Sequence, residues 1–214
     1  MAKVVGVDTQ IRGKLGARIY QVLNGEQIVK TFAIPSNPES SGQTAQRGVF
    51  RDIIACFKVI ADGFINLLWN PFTSGNKTGW GNFISANLLS MGKVAFDATD
   101  AVLSEGSLEP IYDLAATYDT ATGAIEVTFD DAITNNGHAD DWISFVAVDA
   151  TLKAIISKTL DAEQRNAESA SLVGNLGSTA TDVELFAVVH QQESSVSPIG
   201  LVSNSVHVTC TAAA

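Results

Sequence analysis

The sequence predicts an α+β chain. An N-terminal β-hairpin arm and a helical hairpin are followed by an antiparallel immunoglobulin- or fibronectin-like β-sandwich. Three observations predict it. An Asn-Gly pair separates two β-prone runs near the N-terminus. A long apolar stretch with helical period follows. Beyond residue 99, short β-prone runs recur with turn residues between them. The composition changes near residue 98, which divides the chain into 1–98, the arm and two helices, and 99–214, the sandwich.

The arm is read from Arg18–Leu23, then Asn24-Gly25, then Glu26–Phe32. A type I′ turn needs positive φ at both central positions, and Asn-Gly supplies it. Gly13 and Gly16 precede the first run and read as backbone turns. No phosphate-binding loop pattern follows them. Ile34-Pro35-Ser36-Asn37-Pro38 forces extended backbone. Thr44 then offers an N-cap for a helix to about Leu68.

On a helical wheel, Val49, Phe50, Ile53, Phe57, Ile60, Phe64, Leu67 and Leu68 share one side, and Arg47, Arg51, Lys58 and Asp62 another. So apolar a face must be buried. Either the rest of the chain or a second copy covers it. Asn70-Pro71 ends the helix, Thr73–Thr78 is a loop, and Gly79–Leu89 is a second helix. Expected strands are Val102–Leu108, Asp113–Tyr118, Ala124–Phe129, Trp142–Asp149, Lys153–Thr159, Ala167–Leu172, Val183–Val189 and Gly200–Thr209. Polar and apolar residues alternate in Ile125–Phe129 and in Val183–Val189, the pattern of strands with one wet face. Trp142 stands where a sandwich would place its core tryptophan.

Composition excludes several functions. The 214 residues carry 13 basic and 23 acidic side chains, a net charge of −10. Nucleic-acid binding through a basic surface is not expected, nor adhesion to an anionic membrane. The first apolar run, Val4 to Val7, is broken by a glycine, so no signal peptide is expected and synthesis is placed in the cytoplasm. Ile53–Trp69 contains Lys58, Asp62 and Asn66, too polar for a membrane span.

Residues that could carry chemistry are few. Cys56 and Cys210 are expected to be unpaired thiols. His138 lies in a polar loop. His190 and His207 fall near strand ends, where they read as solvated; an enzyme would require them to meet a carboxylate in a pocket. Asp130-Asp131 and Asp140-Asp141 flank Asn135, Asn136 and His138. This set reads as a solvated acidic turn, with weak Ca²⁺ binding as the other possibility. Trp69, Phe72, Trp80 and Phe83 read as packing at the helix connection, or else as a ligand platform. No catalytic, cofactor or metal residue is assigned, no cofactor is expected, and the chain is not read as an enzyme.

The segment Asn37–Phe50 resembles an N-P-x-[ST]-x-x-Q-x-x-Q-R-x-x-F signature, on Asn37, Pro38, Ser40, Gln43, Gln46, Arg47 and Phe50. Gly13-Lys14-Leu15-Gly16 and Leu103–Leu108 accompany it in the same order. Together they are similar to a family of uncharacterised prokaryotic and prophage-type structural proteins. The resemblance implies a non-enzymatic component of a phage or phage-like particle, located in the virion. Such a protein works by self-assembly in head or tail, as a homo-oligomer and with other virion proteins. The alternative is a fibronectin-like carbohydrate- or surface-binding module, which requires exposed aromatics among Tyr112, Tyr118 and Trp142.

Overall fold

The first strands are β1 (Ala2–Val4), β2 (Gly13–Leu15), β3 (Arg18–Leu23) and β4 (Glu26–Thr31). They come from a computed structural model that describes residues 2–4, 12–23, 26–34, 36–37, 39–69, 78–91, 95–173, 182–191 and 201–212. The predicted hairpin is present: β3 and β4 pair antiparallel, with Leu23 opposite Glu26. Its Asn24-Gly25 turn lies outside the described residues. Two strands not expected from sequence widen the hairpin into a sheet of order β1-β4-β3-β2. Between Leu15 and its partner Arg18 the chain reverses through Gly16 at φ +58, a conformation glycine adopts without strain.

The chain forms two compact units, Met1–Glu39 and Ser40–Ala214. The sequence division at 98/99 differs because the helices share a core with the sandwich and belong to the same unit as it. Helix α1 (Ser41–Phe57) starts one turn earlier than read. Ser40, rather than Thr44, is its N-cap, and the Ser40 hydroxyl accepts the Gln43 N–H at 3.4 Å. The helical run continues through a 3₁₀ turn, Lys58–Ile60, and a wide turn, Ala61–Ile65, into α2 (Asn66–Trp69). It is not straight: Gly63 at φ +80 breaks it. The Asp62 carboxylate receives the Asn66 amide across the break, and Asn66 Oδ1 accepts the Trp80 N–H at 3.0 Å. That bond ties the run to α3 (Gly79–Ser90), which Thr78 caps. The expected terminators Asn70-Pro71 lie outside the described residues.

The strands of the second unit are β5 (Tyr112–Tyr118), β6 (Ala124–Asp130), β7 (Trp142–Asp149), β8 (Ala154–Gln164), β9 (Ser169–Val173), β10 (Val183–His190), β11 (Val206–Thr209) and β12 (Thr211–Ala212). They build two sheets, β11-β10-β7-β8 and β12-β5-β6-β9. Every pairing is antiparallel except β12 with β5. The sheets enclose one core, with Ile125, Val127 and Phe129 from the outer sheet against Phe145, Leu185 and Ala187 from the inner. A second core lies on the other side of the inner sheet. There Val146, Val148, Phe186 and Val188 meet Ile53, Phe57, Ile60 and Leu68 of the helical run. The second unit is therefore layered as helices, inner sheet and outer sheet.

This layering corrects several expectations. The apolar face Val49–Leu68 is covered within the chain; Phe50 alone among its eight residues is exposed. Alternation holds in β6, which is wet on one face, but β10 is buried at every position. Trp142 is half-buried at the start of β7 and outside the sandwich core. Val102–Leu108 is not a strand. Asn87 of α3, fully buried, takes the Val102 N–H and donates to the Val102 carbonyl, both at 2.9 Å. Ser205 Oγ accepts from Leu103 N–H, and Ser104 Oγ donates to the Ser203 carbonyl. Its backbone groups bond partly to side chains and partly to the backbone of 202–205, with only an isolated bridge at Leu108 and Ser203, so the segment is a strap rather than a strand in a ladder. At Gly106 a Cβ would stand 1.8 Å from the Val202 carbonyl oxygen, so no other residue fits. No helix among the described residues is long and apolar enough to cross a membrane.

Candidate functional site

His190 is the first polar residue to test. It ends β10, and sequence reading placed it in solvent. It is 1% exposed, and its neighbours are Trp142 of β7 and Val202 on either side of the strand end. Its Nε2 lies 2.9 Å from Ser144 Oγ on β7 and 3.0 Å from Asp161 Oδ1 on β8. A bulge in the β7–β8 ladder between Ile143 and Phe145 brings Ser144 here, and Asp161 adopts φ +51 beside it. Burial holds the His190 ring below its ordinary value of 6.5, while Asp161 and then Asp141 oppose that shift.

A serine, a histidine and an aspartate thus meet, but not as a catalytic relay. A relay needs the acid on the ring nitrogen opposite the hydroxyl. Here both groups crowd Nε2, and Nδ1 is buried without a partner. Ser144 is fully buried and its Oγ accepts the Asp161 N–H at 3.0 Å. The trio cross-links three strands.

His207 is separate. It lies opposite Phe186 on β11, four residues along β10 from His190, so the two histidines do not share a site. It pairs with Glu184, which is buried and also receives the Thr209 hydroxyl at 3.0 Å. His207 borders a shallow cleft of about 660 Å³ lined by Thr99, Asp100, Ser104, Glu105 and Asn204.

The acidic loop is built inward, around Glu109, a residue sequence reading did not single out. Its carboxylate accepts from the Thr134 hydroxyl and from the N–H groups of Thr134, Asn135 and Gly137, and from Tyr112 Oη at 3.1 Å. The Thr134 hydroxyl above all, against the opposing effect of burial, holds Glu109 down at about 2; the Asn135 and Thr134 N–H groups and Tyr112 add to it. Arg165, fully buried, donates to the carbonyls of Glu109, Pro110 and Ala132. Asp130 receives the Ala132 N–H and Asp141 the His138 N–H, so these carboxylates brace the turn. Among the described residues, no group of three or more His, Cys, Asp or Glu side chains could hold a metal ion. No local sequence signal marks the knot, because Glu109 and the turn that binds it lie about 25 residues apart.

The aromatic cluster is packing. Trp80 stacks on Phe83 at 5.3 Å, Phe57 and Trp69 meet Phe83 edge-on, and Trp69 Nε1 donates to the Leu103 carbonyl at 2.7 Å. Phe72 lies outside the described residues. Cys56 and Cys210 are free thiols, each pushed up to about 12 by burial, with Glu184 adding to the effect at Cys210. Of the signature residues, Gln43 and Gln46 are exposed on the first turns of α1.

The N-terminal sheet differs from the other two sheets. None of the apolar side chains described between Leu15 and Val22 or between Ile28 and Ile34 is buried. Leu15 is 66% exposed and Ile34 82%. Register places Leu15, Arg18, Tyr20, Val22 and Val29 on one face and Lys14, Ile19, Gln21, Ile28 and Lys30 on the other. A small sheet needs an apolar layer against it to be stable. No known protein family, curated protein or solved structure matches the chain.

Proposed function

We propose that this chain is a structural, non-enzymatic component of a phage or phage-like particle that works by self-assembly. The observation that carries the reading is the N-terminal sheet, in which none of the apolar side chains described between Leu15 and Val22 or between Ile28 and Ile34 is buried. A sheet that leaves its apolar side chains half-covered is suited to completion by another subunit, by face packing or by edge pairing. The signature resemblance at Asn37–Phe50 supports the phage assignment, and other virion proteins are the further partners it implies. The bonding of the Ser144–His190–Asp161 trio supports a non-enzymatic role.

The sandwich supports an immunoglobulin- or fibronectin-like assignment. The order β5-β6-β9 corresponds to strands A-B-E of that topology, and β11-β10-β7-β8 to G-F-C-C′. The helical layer on the inner sheet is an addition to it. The alternative, a carbohydrate- or surface-binding module, has less support. Of the three aromatics it needs, Tyr118 is buried, Trp142 half-buried, and Tyr112 hydrogen-bonds Glu109.

Light scattering of the full chain across concentration, with electron microscopy of the same sample, tests the proposal. Rings, tubes or shells are expected. A monodisperse monomer at every concentration would overturn the assembly reading.

A further inference from the structure

The two units carry opposite charge. Residues 1–39 hold five basic and three acidic side chains, a net +2. Residues 40–214 hold eight basic and twenty acidic, a net −12. The separation is sharper locally. Between Lys93 and Lys153 there are twelve Asp or Glu and no Lys or Arg. That stretch contains β5 and β6, the middle of the outer sheet, whose exposed face carries Glu126 and Asp130; Glu109, Asp141 and Asp149 of the twelve are buried.

The outward face of that sheet is open. Thr117, Glu126, Thr128, Asp130, Ser169 and Ser171 are all exposed, and register places Glu126 between Thr117 and Ser171. No basic residue lies in β5, β6, β9 or β12. On the N-terminal sheet, Lys14 and Lys30 are exposed on one face with Ile19 between them, and Ile28 shares that face beside Lys30.

Resting on the assembly reading, we infer that the Lys14–Lys30 face of one copy's N-terminal sheet docks on the acidic outer sheet of a second copy. Charge complementarity selects the occupant. A second outer sheet would meet like charge with like, and so would a second basic face. The contact joins two different surfaces, so it is head-to-tail. Such contacts close into rings or propagate as filaments. Because the attraction is between exposed charges, salt weakens it.

The test uses full-length chains. Lys14→Glu with Lys30→Glu reverses the arm. Glu126→Lys with Thr128→Lys reverses the outer sheet. All four positions are exposed, and an unchanged thermal midpoint checks that each variant folds. Each double variant is expected to raise the concentration for half-assembly at least about tenfold. Mixing the two restores one compatible interface and yields two-chain complexes. A chain carrying all four changes regains assembly. Raising salt from about 0.05 M to about 0.5 M disperses the wild type.

If only the arm variant loses assembly, the arm docks elsewhere, and the inference fails while the assembly reading stands. If wild-type mass is monomeric throughout and the reversals change only amide-exchange protection of the arm, the arm docks within its own chain. That result overturns both readings.

Discussion

The N-terminal sheet and the inner sheet of the sandwich each have four strands, but they are held by different things. β7 and β10 are buried along almost their whole length, with one core on each face. The N-terminal sheet rests on backbone pairing and half-covered side chains. Burial of a Phe or Leu side chain is worth about 2–3 kcal/mol, and backbone pairing alone nets far less. Stability is therefore concentrated in the inner sheet.

The sharpest way to break this contrast is Phe186→Ala. Phe186 is fully buried between the inner sheet and the helices. Its truncation is expected to cost about 3–5 kcal/mol and about 10 °C in thermal midpoint, read by calorimetry. Asn87→Ala tests the strap that closes the same layer. It strands the Val102 N–H and carbonyl, with an expected loss of about 3 kcal/mol in urea denaturation.

His190 sharpens the contrast through pH. Its folded value lies below 6.5, so the unfolded chain binds the proton more readily. The stability it contributes is present above 6.5 and is lost as pH falls below that value. His190→Gln is expected to flatten stability against pH over that window, followed by urea denaturation. The Glu109 knot adds a second, more acidic slope. Its folded value near 2 against an ordinary 4.5 makes its contribution present above 4.5 and lost as pH falls toward 2. Glu109→Gln removes that slope.

The smallest effect is expected in the arm. Leu15→Asp is expected to move the main thermal midpoint by less than about 0.5 kcal/mol equivalent while weakening assembly. A large stability loss there would show that the arm belongs to the folded core. Native-state amide exchange should rank β7 and β10 slowest and β2 and β3 fastest.

Much of the fold was legible because local signals agreed with it. Asn24-Gly25 marked the hairpin that closes Leu23 against Glu26. The 3.6 period from Val49 to Leu68 marked the helical run, and alternation in Ile125–Phe129 marked a strand with one wet face. The site was less legible. Alternation in Val183–Val189 suggested an outward Glu184, but a third layer covers that face and pairs Glu184 with His207. His190 looked solvated for the same reason. Glu109 gave no sign, because its partners are mostly backbone N–H groups about 25 residues later in the chain.

By itself, the sequence determined the class of most segments, the unpaired cysteines and the strong asymmetry of charge. These depend on residue type and on spacing over a few turns. Only the tertiary structure decided which faces are dry. A strand's outer face is wet or buried according to what another segment, often a hundred residues away, lays over it. Pairing among strands far apart in sequence gave His190 the partners Ser144 and Asp161, and gave the buried Glu184 the half-exposed His207. The unit boundary moved from 98/99 to 39/40 for the same physical reason: apolar faces are shared through space rather than along the chain.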